Sequence, residues 1–172
     1  SVKCLSDKIT SLRNYIPSEI NRKPRSLFDC KRWKATEFRT FLLYTGPIVL
    51  KSVITYDKYI NFLTLHVAVT ILSNSKHMDC YSNYAKSLLE YFVNTFIILY
   101  GKKNASTNIH NLLHLHDDAL KFGTLQEFSA FPFENYMQTI LKMIRKNDKI
   151  LEQIVCRMSE QNFCLNNNKK LK

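Results

Sequence analysis

Apolar residues recur every three to four positions along almost the whole chain, and strict alternation of apolar and polar residues is scarce. That period matches a helix, in which successive side chains are about 100° apart, so the pattern predicts an all-α domain. Helices are expected over 3–15, 34–45, 47–54, 57–73, 79–100, 107–122, 132–146 and 149–162, a bundle of about seven to eight. The breaks coincide with turn chemistry. "IPSEINRKPRS" carries two prolines and reads as an extended linker, and in "TGPI" Gly46 ends one helix while Pro47 starts the next. "SNSK", "GKKNAS" and "FGTLQ" supply the other turns, and "LNNNKKLK" reads as a frayed polar tail.

A length of 172 residues supports one well-packed core and is marginal for two. A single domain over 1–162 is therefore expected, followed by a polar basic tail over 163–172, with no internal repeat. Three glycines and 45% apolar residues fit a helix-rich protein with few tight turns. The best apolar run, "FLTLHVAVTIL", is too short to span a bilayer, so no membrane role is expected. The chain opens on Ser1 without a signal-like start, which suggests a piece of something longer. Its five cysteines form no CxxC pair and leave one over, which argues for a reducing compartment and against a disulfide framework.

Charge adds the first hint of a partner. The net +11 favours polyanions, and it is concentrated at the two ends: residues 1–58 carry +7 and residues 142–172 carry +5, around a nearly neutral middle. One basic cluster, Lys31, Arg32 and Lys34, surrounds the only tryptophan, Trp33. Cations there would hold phosphates while the indole stacked on an unpaired base. A tryptophan opening an apolar helix is more often a packing anchor with solvated neighbours. The other cluster, Lys142, Arg145, Lys146 and Lys149, lies at the end of the 132–146 helix, where cations also complement the helix dipole.

Two helices carry candidate chemistry. In the first, Pro132 suits the opening position, and Phe133, Tyr136, Met137, Ile140, Leu141 and Ile144 form an apolar stripe expected to face the core. Glu134 falls at the edge of that stripe, beside Gln138 and Arg145. A carboxylate held there could serve a site, although a first-turn acid is already explained by the helix dipole. In the second, Ser106 or Thr107 caps a helix whose expected core face is Ile109, Leu112, Leu113, His116 and Leu120. His110, His114 and Asp117 share another face, at a spacing from which they could reach one ion. Zinc normally takes four ligands, and no cysteine pair completes this set.

Taken together, "KPRSLFDCKRWKATEFRTFLLYTGPIVLKS", "NIHNLLHLHDDALKFG" and "FSAFPFENYMQTILKMIRK" resemble the C-terminal region of animal transposases related to the CACTA (En/Spm) superfamily. The resemblance runs from about residue 5 to residue 160, and rests on the order and spacing of the three stretches. Such enzymes are similar to ribonuclease-H-like DDE/D nucleases, which bind Mg²⁺ or Mn²⁺ with two aspartates and a late glutamate. The resemblance implies that Glu134 is the third acid, and that His110 and His114 share Zn²⁺ with upstream cysteines. It further implies the insertion region plus final helix of a split nuclease fold, a separate N-terminal catalytic half, transposon-end DNA as partner, a homodimer and a nuclear location. Neither catalytic aspartate can be placed here, because Asp7, Asp29, Asp57 and Asp79 lie in helical or linker sequence. Two-metal phosphoryl transfer needs several converging carboxylates, so this chain alone is expected to be inactive. The alternatives are a helical DNA- or protein-binding module retained by its host without catalysis, and an unselected relic that folds, does little and would be cytoplasmic.

Overall fold

The computed structural model describes residues 2–20 and 22–170, apart from the side chains of residues 135, 162 and 164–170. Every regular element among the described residues is helical, in agreement with the predicted all-α class. The described residues fall into two compact units, one ending at Phe128 and the other beginning at Ser129.

The first unit begins with α1 (Val2–Ser11), tightened into a 3₁₀ turn over Leu12–Tyr15, and an irregular segment that leads to a 3₁₀ turn over Leu27–Arg32. Then α2 (Ala35–Thr40), a π-helical turn over Phe41–Thr45 and α3 (Gly46–Leu50) run on without a break. The break expected at Gly46 and Pro47 is therefore corrected. Pro47 lacks an N–H and its ring crowds the preceding turn, and a wider π turn accommodates both. The Gly46 N–H accordingly bonds back to Phe41 O.

Gly46 also has ordinary right-handed backbone angles, so its role is not a left-handed cap. A Cβ there would lie 2.5 Å from Phe62 Cζ and 2.6 Å from Phe41 O, so the absence of a side chain is what lets the next helix close in. Ile9, Val49 and Leu50 form the core beneath, with Leu5, Leu12, Leu27, Trp33, Phe41, Tyr59 and Phe62 packed around it.

The chain then forms a long hairpin from α4 (Tyr56–Leu72) and α5 (Ser75–Tyr100). Asn74 starts α5 by accepting a hydrogen bond from the His77 N–H, at 3.3 Å. Ala68, Ile71 and Leu72 meet Ala85 and Leu89, and Ala119 of a later helix joins them. The alanines let the helix axes approach closely. That later segment comprises α6 (Thr107–Asn111), a 3₁₀ turn over Leu112–His114 and α7 (Leu115–Phe122). Gly123, at φ +91°, ends it, and the Leu125 N–H bonds to Leu72 O at 3.0 Å.

The second unit holds α8 (Phe131–Met143) and α9 (Ile150–Lys170). Its helix continues over 163–170, where a frayed tail was expected, and residues 171–172 lie outside the described residues. The apolar stripe of α8 is not core-facing: Phe133, Tyr136, Met137 and Leu141 are all exposed, Phe133 at 73%. The buried residue is instead Met143, which the stripe did not include. A unit of two helices has too few elements to cover a face that wide.

Candidate nucleic-acid interface

Lys142 lies in the last turn of α8, and Arg145, Lys146 and Lys149 occupy the turn into α9. All four are exposed. The turn is built by one side chain from α9. Gln153 Oε1 accepts from the N–H groups of Arg145 (2.9 Å) and Lys146 (3.3 Å), while its Nε2 donates to the carbonyls of Lys146 (2.9 Å) and Asp148 (2.5 Å). Lys149 sits at φ +49°, which few non-glycine residues adopt, and its ammonium lies 3.5 Å from Glu152. The clamp thus fixes the backbone from which three cations project.

Glu134 lies in the first turn of the same helix and is exposed. Among the described residues its carboxylate has no hydrogen-bond or ion-pair partner. From Glu134 to Lys142 is eight residues, or about 12 Å along the axis.

The second basic cluster is organised differently. Lys31, Arg32 and Lys34 are exposed, but Trp33 is half-buried and committed to packing. Its Nε1 donates to Ser26 O at 3.2 Å, and its ring lies 5.3 Å from Phe38 and 5.9 Å from Phe41, centroid to centroid. What orders the segment is an ion pair that the charge pattern did not single out. Arg25 Nε and Nη2 donate to Glu37 Oε1 (2.6 Å) and Oε2 (2.8 Å), and the Lys34 N–H also bonds to Glu37. Arg25 further donates to Arg32 O. The guanidinium, with the Lys34 N–H and Arg22, holds the Glu37 carboxyl below the usual carboxylate range despite its burial.

The histidines separate in role. His116 is buried, as its place in the pattern predicts. Its Nδ1 lies 2.9 Å from Asp117 Oδ1, and its Nε2 is buried without a partner among the described residues. His110 and His114 are exposed neighbours, with ring centroids 5.6 Å apart. Asp117 is engaged by His116 and approached by Lys86 at 3.9 Å, contacts that lower its pKa. A 3₁₀ turn between α6 and α7 changes the angular step that the spacing argument assumed. Among the described residues no three His, Cys, Asp or Glu side chains are grouped as a metal site.

Compared with family models, characterised proteins and solved structures, the chain matches none.

Proposed function

We propose that this chain is the helical C-terminal part of a cut-and-paste DNA transposase. In this reading the basic turn between α8 and α9 holds transposon-end DNA, and Glu134 is the third acid of a DDE/D site. The observation that carries it is the free Glu134 carboxylate, exposed on the same two-helix unit as the clamped basic turn. An acid that the described residues neither pair nor bury suits a ligand whose co-ligands come from another chain segment. A separate N-terminal half would supply the two aspartates, and with them the Mg²⁺ or Mn²⁺ that would polarise the scissile phosphate. His110 and His114 would give two of four zinc ligands, completed by cysteines of that half. The nucleus is where such chemistry would meet its DNA.

A second reading, a host-retained binding module without catalysis, is favoured by the Gln153 clamp itself, because a preformed cationic turn needs no metal. Both readings are tested by titrating the chain with duplex DNA at several salt concentrations. Four phosphate contacts by Lys142, Arg145, Lys146 and Lys149 would give a log–log slope of about −3.6, and reversing Arg145 and Lys146 to Glu should remove about half of it. Unchanged affinity in that variant removes DNA binding by this turn from both readings.

A further inference from the structure

A groove of about 470 Å³ opens between the start of α4 and the last turns of α5, lined by Tyr56, Asp57, Asn61, Tyr91, Thr95 and Ile98 among others. Its size lies in the range of small-molecule sites. Three of its apolar or aromatic side chains stand in solvent, Tyr56 at 75%, Tyr91 at 52% and Ile98 at 80% exposure, which concentrates wet apolar surface around one depression.

The groove's one charged lining group is a carboxylate, and the hydroxyls of Tyr56 and Tyr91 can donate or accept. Asp57 makes no ion pair among the described residues, and the adjacent Lys58 ammonium sits 5.6 Å from the Tyr100 ring centre. Asn61 is buried in the floor, and its Nδ2 donates to Phe92 O at 3.1 Å and Thr95 Oγ1 at 2.7 Å. That leaves the amide oxygen without a donor among the described residues. Thr95 spends its own proton on the Tyr91 and Phe92 carbonyls. The helix dipole explains an acid at position 57, but it explains neither the groove nor the amide oxygen beneath it.

We infer that this groove binds a small organic cation, an ammonium on an apolar body, with Asp57 and the Asn61 amide oxygen receiving the charged head and the Tyr56 and Tyr91 rings flanking the body. One unneutralised carboxylate selects for positive charge, two tyrosine rings favour a cation over their faces, and Ile60, Ile98 and Leu99 supply apolar contact. The ligand is opposite in sign to DNA, and the groove shares no residue with the basic turn.

The test is a titration of the whole chain with phenethylammonium chloride, followed by amide NMR. Saturable shifts confined to residues 56–61 and 91–99 are expected, with affinity about tenfold weaker for the uncharged 2-phenylethanol and for Asp57→Asn. Should Asp57→Asn lose helicity, the alcohol comparison on the unaltered chain decides. Equal binding of ammonium and alcohol, shifts scattered over the surface, or no saturation would each overturn the assignment.

Discussion

The Arg25 guanidinium grips the buried Glu37 carboxylate through two parallel hydrogen bonds of 2.6 and 2.8 Å. Twelve residues separate them in sequence, and the pair ties the irregular segment after α1 to the first turn of α2. Because Arg25 also bonds to Arg32 O and Glu37 to the Lys34 N–H, the backbone on both sides of Trp33 is held from below while Lys31, Arg32 and Lys34 stay exposed.

This pairing makes stability acid-sensitive. The folded Glu37 carboxyl titrates below its ordinary value of 4.5, chiefly because of the Arg25 hydrogen bond. Its stabilisation is therefore complete above that value and is lost as pH falls through the lowered one. Glu37→Gln should cost about 1–2 kcal/mol at pH 7, as charge-assisted bonds become neutral ones. The gap between the two proteins in urea unfolding should narrow as pH falls below 4.5. A gap independent of pH would show that the carboxylate charge contributes nothing.

Gly46 should not tolerate even one methyl group. With Phe62 Cζ and Phe41 O both inside contact distance of a Cβ, Gly46→Ala is expected to lose about 1–3 kcal/mol by overpacking, despite alanine's better helix propensity. Adding Phe62→Leu should recover part of the loss. Thermal denaturation of the two variants checks this; a stabilised Gly46→Ala would mean that α3 and α4 are not closely apposed.

Gln153→Ala should loosen the basic turn without melting α8. The Arg145 and Lys146 amides lose their acceptor, so their hydrogen exchange is expected to accelerate at least tenfold relative to amides inside α8. DNA affinity should weaken less than on charge reversal, since the cations remain. Unchanged exchange at both amides would contradict the clamp.

Zinc should be held weakly by this chain alone. His110 and His114 offer two nitrogens where a structural site uses four ligands. After addition of one equivalent and gel filtration, substoichiometric metal is expected by elemental analysis. A full equivalent retained, and lost in His114→Ala, would reveal ligands that the two imidazoles do not account for.

Helical period alone located nearly every element, because α4, α5 and α7 each bury a continuous face: Ala68, Ile71 and Leu72 meet Ala85, Leu89 and Ala119, although in α7 the expected Leu120 is exposed and Ala119 is buried in its place. The same rule failed for α8. Periodicity tells which residues share a face but not whether anything covers it, and Phe133, Tyr136, Met137 and Leu141 are left exposed. Gly46 was misread for a related reason, since a glycine before proline looks like a helix end until the residue opposite it, Phe62, is known.

Long-range polar pairing was illegible. Nothing in the spacing of Arg25 and Glu37 distinguishes them from solvated charges, and Gln153 is an ordinary helix residue until the turn is seen folding onto its amide. Asn61 did leave a trace, a lone amide inside the apolar run of α4. A buried amide in such a run demands partners, which here are Phe92 O and Thr95.

The role proposed for Glu134 is tested most directly with Mn²⁺, whose unpaired electrons broaden the resonances of nearby nuclei even when binding is weak. With DNA phosphates standing in for the absent carboxylates, micromolar Mn²⁺ added to the DNA-bound chain should selectively, though weakly, broaden the amides of residues 133–136, and Glu134→Gln should abolish that effect. Broadening centred elsewhere, or equal in the variant, would contradict a metal-ligand role for Glu134 and leave the basic turn as a binding surface without catalytic ancestry.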